Sequence, residues 1–134
     1  MKKINIGLFG FGVVGEGIYK VLEEKPQLNA AIKKIVIKDD SKTRNAPAEL
    51  FSTNAEDILN DDEINVVVEL ISDADAAYDI IKKAFVNGKH VVSANKKLIA
   101  DHHKELLELQ EQNNVSFLYE ASVCGSVPII RNLE

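Results

Sequence analysis

Ile4-Asn5-Ile6-Gly7-Leu8-Phe9-Gly10-Phe11-Gly12-Val13-Val14-Gly15 runs a strand pattern directly into three spaced glycines. Ile4, Ile6 and Leu8 fall on one face of the predicted strand Ile4–Phe9, with Gly7 and Phe9 on the other. Beyond the glycines, Val13, Val14, Gly17, Ile18, Val21 and Leu22 recur at helical spacing, and Pro26 marks where that helix has finished. The string Gly10-x-Gly12-x-x-Gly15 is weak evidence when it stands alone. Placed between a strand and a helix, it has the context that a dinucleotide-binding turn needs. Gly10 allows the tight turn, Gly12 leaves no side chain in the way of a pyrophosphate, and Gly15 lets helix and strand approach closely. Phe11, Val13 and Val14 complete the turn, and the helix start offers free N–H groups and partial positive charge to phosphates.

Outward from this stretch, short apolar runs alternate with helical patterns. Lys34–Lys38 carries three consecutive β-branched residues, Ile35, Val36 and Ile37, and reads as the second strand. A polar loop follows, then Thr53 and Glu56 at capping-box spacing, which predicts a short helix through Leu59. Asn65–Ile71 is almost unbroken in its apolar character, as in a strand covered on both faces. A stripe from Ala76 to Phe85 ends at Asn87-Gly88, a left-handed helix stop. His90–Ser93, Lys97–Asn113 and Val115–Tyr119 read as strand, helix and strand. The order β-α-β-α-β-α-β-α-β predicts an α/β fold, a Rossmann-like doubly wound parallel sheet in a single domain over residues 1–134. The tail from Glu120 to Glu134 is rich in apolar residues without a following element, which suggests one domain of a longer polypeptide.

The composition narrows the classes of function. With 16 Lys+Arg against 21 Asp+Glu, net −5, the chain is a poor binder of polyanions, and no nucleic-acid partner is expected. Aromatics at 6% and the absence of Trp argue against base-stacking platforms. No apolar run approaches the ~18–20 residues of a membrane helix, so no membrane partner is expected either. The single Cys124 excludes an intramolecular disulfide framework, and Met1-Lys2-Lys3 leads into a strand rather than a secretory signal. Together these point to the cytoplasm.

Three further stretches carry chemistry at the expected carboxyl edge of the sheet. Lys38, followed by Asp39 and Asp40, stands where a basic residue would accept a ribose 2′-phosphate and an acidic one would bind the 2′-hydroxyl. Both answers are in view, and the balance leans towards NADP or dual use. Val92-Ser93-Ala94-Asn95-Lys96 closes the fourth strand of the sequence pattern, where Lys96 could supply a proton or a positive charge to a carbonyl being reduced. Against this stands the ordinary reading of a lysine as a surface charge. Cys124 admits a reading as a nucleophile, but no histidine is obviously available to activate it, and a small inert thiol is the simpler view. His90, His102 and His103 have no metal-ligand spacing.

Residues 7–15 (GLFGFGVVG), 66–71 (VVVELI), 87–100 (NGKHVVSANKKLIA) and 119–133 (YEASVCGSVPIIRNL) together resemble the cofactor-binding domain of homoserine dehydrogenase. The likeness runs in order over nearly the whole chain. It implies hydride transfer between NAD(P)H and the aspartate 4-semialdehyde/L-homoserine pair, in threonine and methionine biosynthesis, with a small-molecule substrate. By the same resemblance Lys96 lies near nicotinamide and substrate, and Lys38 stands where relatives often carry arginine, which favours NADP over NAD. Glu120 with the carbonyls of Val123, Gly125 and Val127 would hold a structural monovalent cation such as Na+. Ser72-Asp73 replaces a common Gly-Gly, which would put Ser72 and an acidic side chain beside the cofactor. Substrate acids and a second lysine belong to a following domain, so the 134 residues alone would bind cofactor without useful turnover. The whole enzyme would be a homodimer or larger and this piece a monomer. Two alternatives remain: a semialdehyde dehydrogenase using Cys124, and a non-catalytic dinucleotide-binding module.

Overall fold

A computed structural model of the chain describes residues 3–38, 46–93 and 95–119. In chain order the elements are β1 (Ile4–Phe9), α1 (Val13–Glu24), a single 3-10 turn (Pro26–Leu28) and β2 (Ala30–Val36). A second 3-10 turn (Ala48–Leu50) leads into β3 (Phe51–Ser52), α2 (Glu56–Leu59), β4 (Val66–Glu69) and α3 (Ala74–Val86). The last elements are β5 (His90–Ser93), α4 (Lys96–Asn113) and β6 (Phe117–Tyr119). Every strand pairing is parallel. The strand order is β3-β2-β1-β4-β5-β6, the order of a Rossmann fold, with its switch point between β1 and β4. The doubly wound parallel sheet expected from the sequence is therefore the observed one.

Two apolar layers sandwich the sheet. On one side Ile4, Ile6 and Leu8 of β1 meet Ile18 and Leu22 of α1 and alternate residues of β2 and β4. On the other, Phe9, Val67 and Val91 meet Ile58 and Leu59 of α2, Ile81 and Phe85 of α3 and Leu98 and Leu106 of α4. β4 is buried along its whole length, which explains its near-continuous apolar run.

Three expectations need correction. The second strand starts at Ala30, not Lys34, and ends at Val36, so Lys38 lies beyond it. The register between β1 and β2 jumps from Ile6↔Ile32 to Gly7↔Lys34. The extra residue, Lys33, is a β-bulge. It keeps Ala30, Ile32 and Ile35 in the same core layer although Lys33 and Lys34 interrupt the alternation. Phe51–Ser52 adds a sixth strand at the edge beside β2. The Thr53/Glu56 capping box does not form: Ala55 occupies the N-cap of α2, and the Glu56 N–H donates to Asn54 Oδ1 at 3.0 Å.

The stop at Asn87-Gly88 behaves as read. Gly88 has φ +75, and the N–H groups of Gly88 and Lys89 donate to the carbonyls of Phe85 and Ala84, the paired bonds of a Schellman cap. Lys89 then turns inward. It is 3% exposed, and its Nζ donates to the carbonyls of Asp61 (2.6 Å) and Ile64 (2.7 Å). The approach to β4 is thereby fastened to the start of β5.

Candidate functional site

At the carboxyl end of β1 the chain turns on Gly10, whose φ of +95 lies in the left-handed region that favours glycine. The turn is stitched to both neighbouring strands. Gly10 N–H donates to the Val36 carbonyl and Leu70 N–H to the Phe9 carbonyl, each at 2.9 Å. A Cβ on Gly15 would stand 3.1 Å from the Gly10 carbonyl oxygen and 3.4 Å from Leu8 Cδ2, the close helix-strand approach expected of the third glycine. Gly12 differs: a Cβ there would meet nothing within 4 Å. The space over Gly12 is open. Phe11 anchors the turn sideways, packing edge-on against Phe51 of β3 (5.3 Å between ring centroids) and Tyr19 of α1 (6.4 Å).

Two clefts flank this turn and share Ile71. One, of about 430 Å³, is lined by Phe9 to Gly12, by Val36, Ile37 and Lys38 after β2, by Thr53 and Ala55, and by Ile71, Ala76 and Ile80. Its wall is mostly apolar, with Lys38 exposed at the rim. The other, of about 310 Å³, is lined by Val14, Leu70, Ile71, Ser72, Asn95 and Lys96. They lie to either side of the switch point, where an open α/β sheet takes its ligand. A larger hollow of about 600 Å³ between α2 and α3 touches neither the glycine turn nor a strand end.

The three long helices that begin at this edge are treated differently by the sequence. Asp73 caps α3, its Oδ1 accepting from the N–H groups of Asp75 (3.0 Å) and Ala76 (3.2 Å). Asn95 caps α4, its Oδ1 accepting from Leu98 N–H at 3.0 Å. At α1 the N-cap is Gly12, which supplies no side-chain acceptor. The partial positive charge of that helix start faces the open space over Gly12, the arrangement that suits a phosphate. An open cradle, an uncapped helix start and a basic rim together fit a dinucleotide.

Asp73 is thus engaged as the cap of α3, while Ser72 lines the second cleft. Lys96 opens α4 as an exposed residue in that cleft, and Lys97 does not line it. The structure thus gathers Gly10, Phe11 and Gly12 with Lys38 in one cleft, and Val14, Ser72 and Lys96 in the next. Val13 is 91% exposed at the start of α1.

Sequence reading missed one group here. Glu69, the last residue of β4, is fully buried and accepts hydrogen bonds from Ser93 Oγ and the Ile71 N–H, both at 2.7 Å. Ser93 Oγ accepts in turn from Asn95 N–H (3.2 Å), and Asn95 Nδ2 donates to the Ile71 carbonyl (3.1 Å). Burial pushes the Glu69 carboxyl above its usual range, against the opposing pull of its two donors. Its only trace in the sequence is one acid inside an apolar strand.

Two of the histidines make contacts within the fold. His90 Nδ1 accepts from Ser116 N–H at 2.9 Å, and His102 stacks on Tyr78 at 4.0 Å between centroids. No cluster of metal-binding side chains occurs among the described residues. Nor does any helix among them have the length and apolar character to cross a membrane. Asp39, Asp40 and Ala94, with Glu120, Val123, Cys124, Gly125 and Val127, lie outside the described residues.

Comparison with known proteins gives a consistent picture. A family model described as homoserine dehydrogenase, NAD binding domain, matches residues 10–120. Homoserine dehydrogenase of Bacillus subtilis is 36% identical over 143 aligned residues, covering 100% of this chain and 33% of that protein. The Helicobacter pylori enzyme is 38% identical over 140, covering 99% and 32%. The chain thus spans about a third of the length of these relatives. Among solved structures, S. aureus homoserine dehydrogenase at pH 6.0 superposes with a TM-score of 0.81 and 40% identity, over 90% of this chain and 33% of that one. A hyperthermophilic archaeal homoserine dehydrogenase in complex with NADPH shares the fold at TM-score 0.73 and 23% identity, over 90% and 44%.

Proposed function

Since the chain belongs to the homoserine dehydrogenase family, as its NAD-binding domain, we propose that it binds a nicotinamide dinucleotide across the two clefts to serve hydride transfer between L-homoserine and aspartate 4-semialdehyde. The open space over Gly12 carries this reading. A side chain there would meet nothing of the protein, so the backbone at the start of α1 is open to close approach by a pyrophosphate. In this assignment Gly10, Phe11, Gly12, Val13, Val14 and Gly15 receive the pyrophosphate at the start of α1. The apolar cleft beside them takes the adenosine, and the Ser72–Lys96 cleft takes the nicotinamide end.

Lys38 sits at the rim of the adenosine cleft, where its ammonium would pair with a 2′-phosphate. We assign NADP as the preferred cofactor on that ground, and the archaeal relative in complex with NADPH is consistent with it. The nicotinamide supplies the hydride chemistry when bound. The protein's part is orientation and charge. Lys96 lines the second cleft, where its ammonium would polarise the substrate carbonyl during reduction and exchange a proton with the hydroxyl oxygen.

Resemblance of residues 119–133 to the family's pattern further supports a structural sodium ion held by the Glu120 carboxylate and the carbonyls of Val123, Gly125 and Val127. One carboxylate with three carbonyl oxygens is a donor set suited to a hard cation. The same resemblance supports a homodimer or larger for the whole cytoplasmic enzyme and a monomer for this domain. Sedimentation of the chain tests the monomer, and a sodium-dependent rise in its melting temperature tests the ion.

A fluorescence titration of the chain with NADPH and, in parallel, NADH tests the main reading. Tighter binding of NADPH, lost in Lys38→Ala while NADH binding persists, is the expected result. NADH binding the more tightly would remove Lys38 from the 2′-phosphate. Binding of neither would overturn the assignment.

A further inference from the structure

Glu69, Ser93, Asn95 and Ile71 close a ring of hydrogen bonds across the exits of β4 and β5. Two of the cleft's polar groups are sequence neighbours of ring members: Ser72 follows Ile71 and Lys96 follows Asn95. We propose that Glu69 is a positioning residue for hydride transfer, fixing the Ser72 and Lys96 sides of the nicotinamide cleft at their working separation. This rests on the reading that the cleft holds the nicotinamide end and the substrate.

The chemistry of the ring favours this role over simple packing. Ion pairs and lone carboxylates in a core seldom add stability over an apolar residue of the same volume, and burial works against the charged form of Glu69. A leucine at this position would continue the run Val66-Val67-Val68. The acid brings instead two acceptors on one rigid group. One oxygen takes the Ile71 N–H and the other orients the Ser93 hydroxyl, leaving that oxygen free to accept from Asn95 N–H. Asn95 is thereby held from three sides: by Ser93, by the Ile71 carbonyl through Nδ2, and by the first turn of α4 through Oδ1. A carboxamide must reverse one link: with its oxygen on the Ile71 N–H, its NH₂ donates to Ser93 Oγ, and the Ser93 hydroxyl loses the acceptor that orients it.

The test uses the complete homoserine dehydrogenase that carries this domain, as Glu69→Gln and Ser93→Ala. Each variant is expected to lower kcat by about 10- to 100-fold, the range for a small misplacement of reacting groups. The KM for NADPH should stay within about threefold of wild type, because the ring takes no residue from the glycine turn and only Ile71 of its four members lines the adenosine cleft. The double variant should lose little more than either single one, as members of one network do. Unchanged kcat in Ser93→Ala and in any Glu69→Gln that folds overturns the proposal. So does a rise in the KM for NADPH that matches the fall in kcat, since that marks general damage. Failure of the wild-type chain to bind NADPH would instead strike the reading of the site itself.

Discussion

Gly7 and Ile58 fit together with no room for a methyl group: a Cβ on Gly7 would lie 2.4 Å from Ile58 Cγ2 and 3.0 Å from Cγ1. Gly7 is in the middle of β1, and Ile58 is a fully buried residue of the four-residue helix α2. So short a helix has no stability of its own. It stays in place because Ile58 and Leu59 are sunk in the core. Thr53 and Ala55, just before it, line the apolar cleft beside the glycine turn, so the contact at Gly7 also supports a wall of the candidate site.

Gly7→Ala is accordingly expected to destabilise the fold by about 1–3 kcal/mol, the usual cost of overpacking. Ile58→Ala, which removes Cγ1, Cγ2 and Cδ1, should cost less in the Gly7→Ala background than in wild type. Chemical denaturation of the two single variants and the double variant measures the coupling. Simple additivity would show that the two positions do not share the space.

Buried Lys89 makes a second prediction. Lys89→Met leaves the Asp61 and Ile64 carbonyls without their donor and should cost about 1–3 kcal/mol at neutral pH. The pH dependence has a definite sign. Burial lowers the Lys89 pKa from its ordinary 10.5, with Asp61 and Asp62 pulling the other way. Between the lowered folded value and 10.5 the unfolded chain binds more protons, so this group makes stability rise as pH rises through that window. The gap between wild type and Lys89→Met should therefore widen towards alkaline pH. Parallel urea titrations from pH 7 to about 10 check it, and a constant gap would mean that the lysine is not held as described.

Gly12 separates ligand binding from folding. Gly12→Ala should cost about 1 kcal/mol of stability, the penalty of alanine at an N-cap, since the new methyl meets no protein atom. Its affinity for NADPH should fall at least about tenfold, the equivalent of ~1.4 kcal/mol. Gly15→Ala should lose both, because its methyl would crowd the Gly10 carbonyl. Unimpaired NADPH binding by Gly12→Ala would place the pyrophosphate elsewhere.

How far the sequence could be read follows from what each feature depends on. β1 and β5 fall at the bounds their local pattern predicts, Ile4–Phe9 and His90–Ser93, because alternation and apolar runs are properties of the segment itself. β2 was misplaced at its start because Lys33 and Lys34 break the alternation, and the bulge that absorbs them exists only against β1. The Thr53/Glu56 spacing is that of a capping box, yet Asn54 takes the Glu56 N–H first, a local competition that spacing does not reveal. The grouping of Gly10 to Gly12, Val14, Lys38, Ser72 and Lys96 along two neighbouring clefts is legible because fold rules place strand ends and helix starts together. Glu69 is not. Its partner Ser93 is 24 residues away, and only the pairing of β4 with β5 brings the two side chains together.

Lys96 bears the last prediction. It opens α4 with Lys97 beside it, and no acidic residue stands in the first turn. Cations at a helix start oppose the dipole by about 0.3–1 kcal/mol each, so Lys96 is placed against the preference of its own helix. A surface lysine serving only solubility would gain nothing from this position, whereas a group acting on a substrate carbonyl must stand at the cleft. Lys96→Ala should therefore leave the domain as stable as wild type or slightly more so. In the complete enzyme it should lower turnover by at least about 100-fold, the lower end for general acid–base catalysis. Thermal melting of the chain and steady-state kinetics of the enzyme give the two readouts. Near-normal turnover would remove Lys96 from the chemistry, and a large loss of stability would show that its place in the cleft serves the fold.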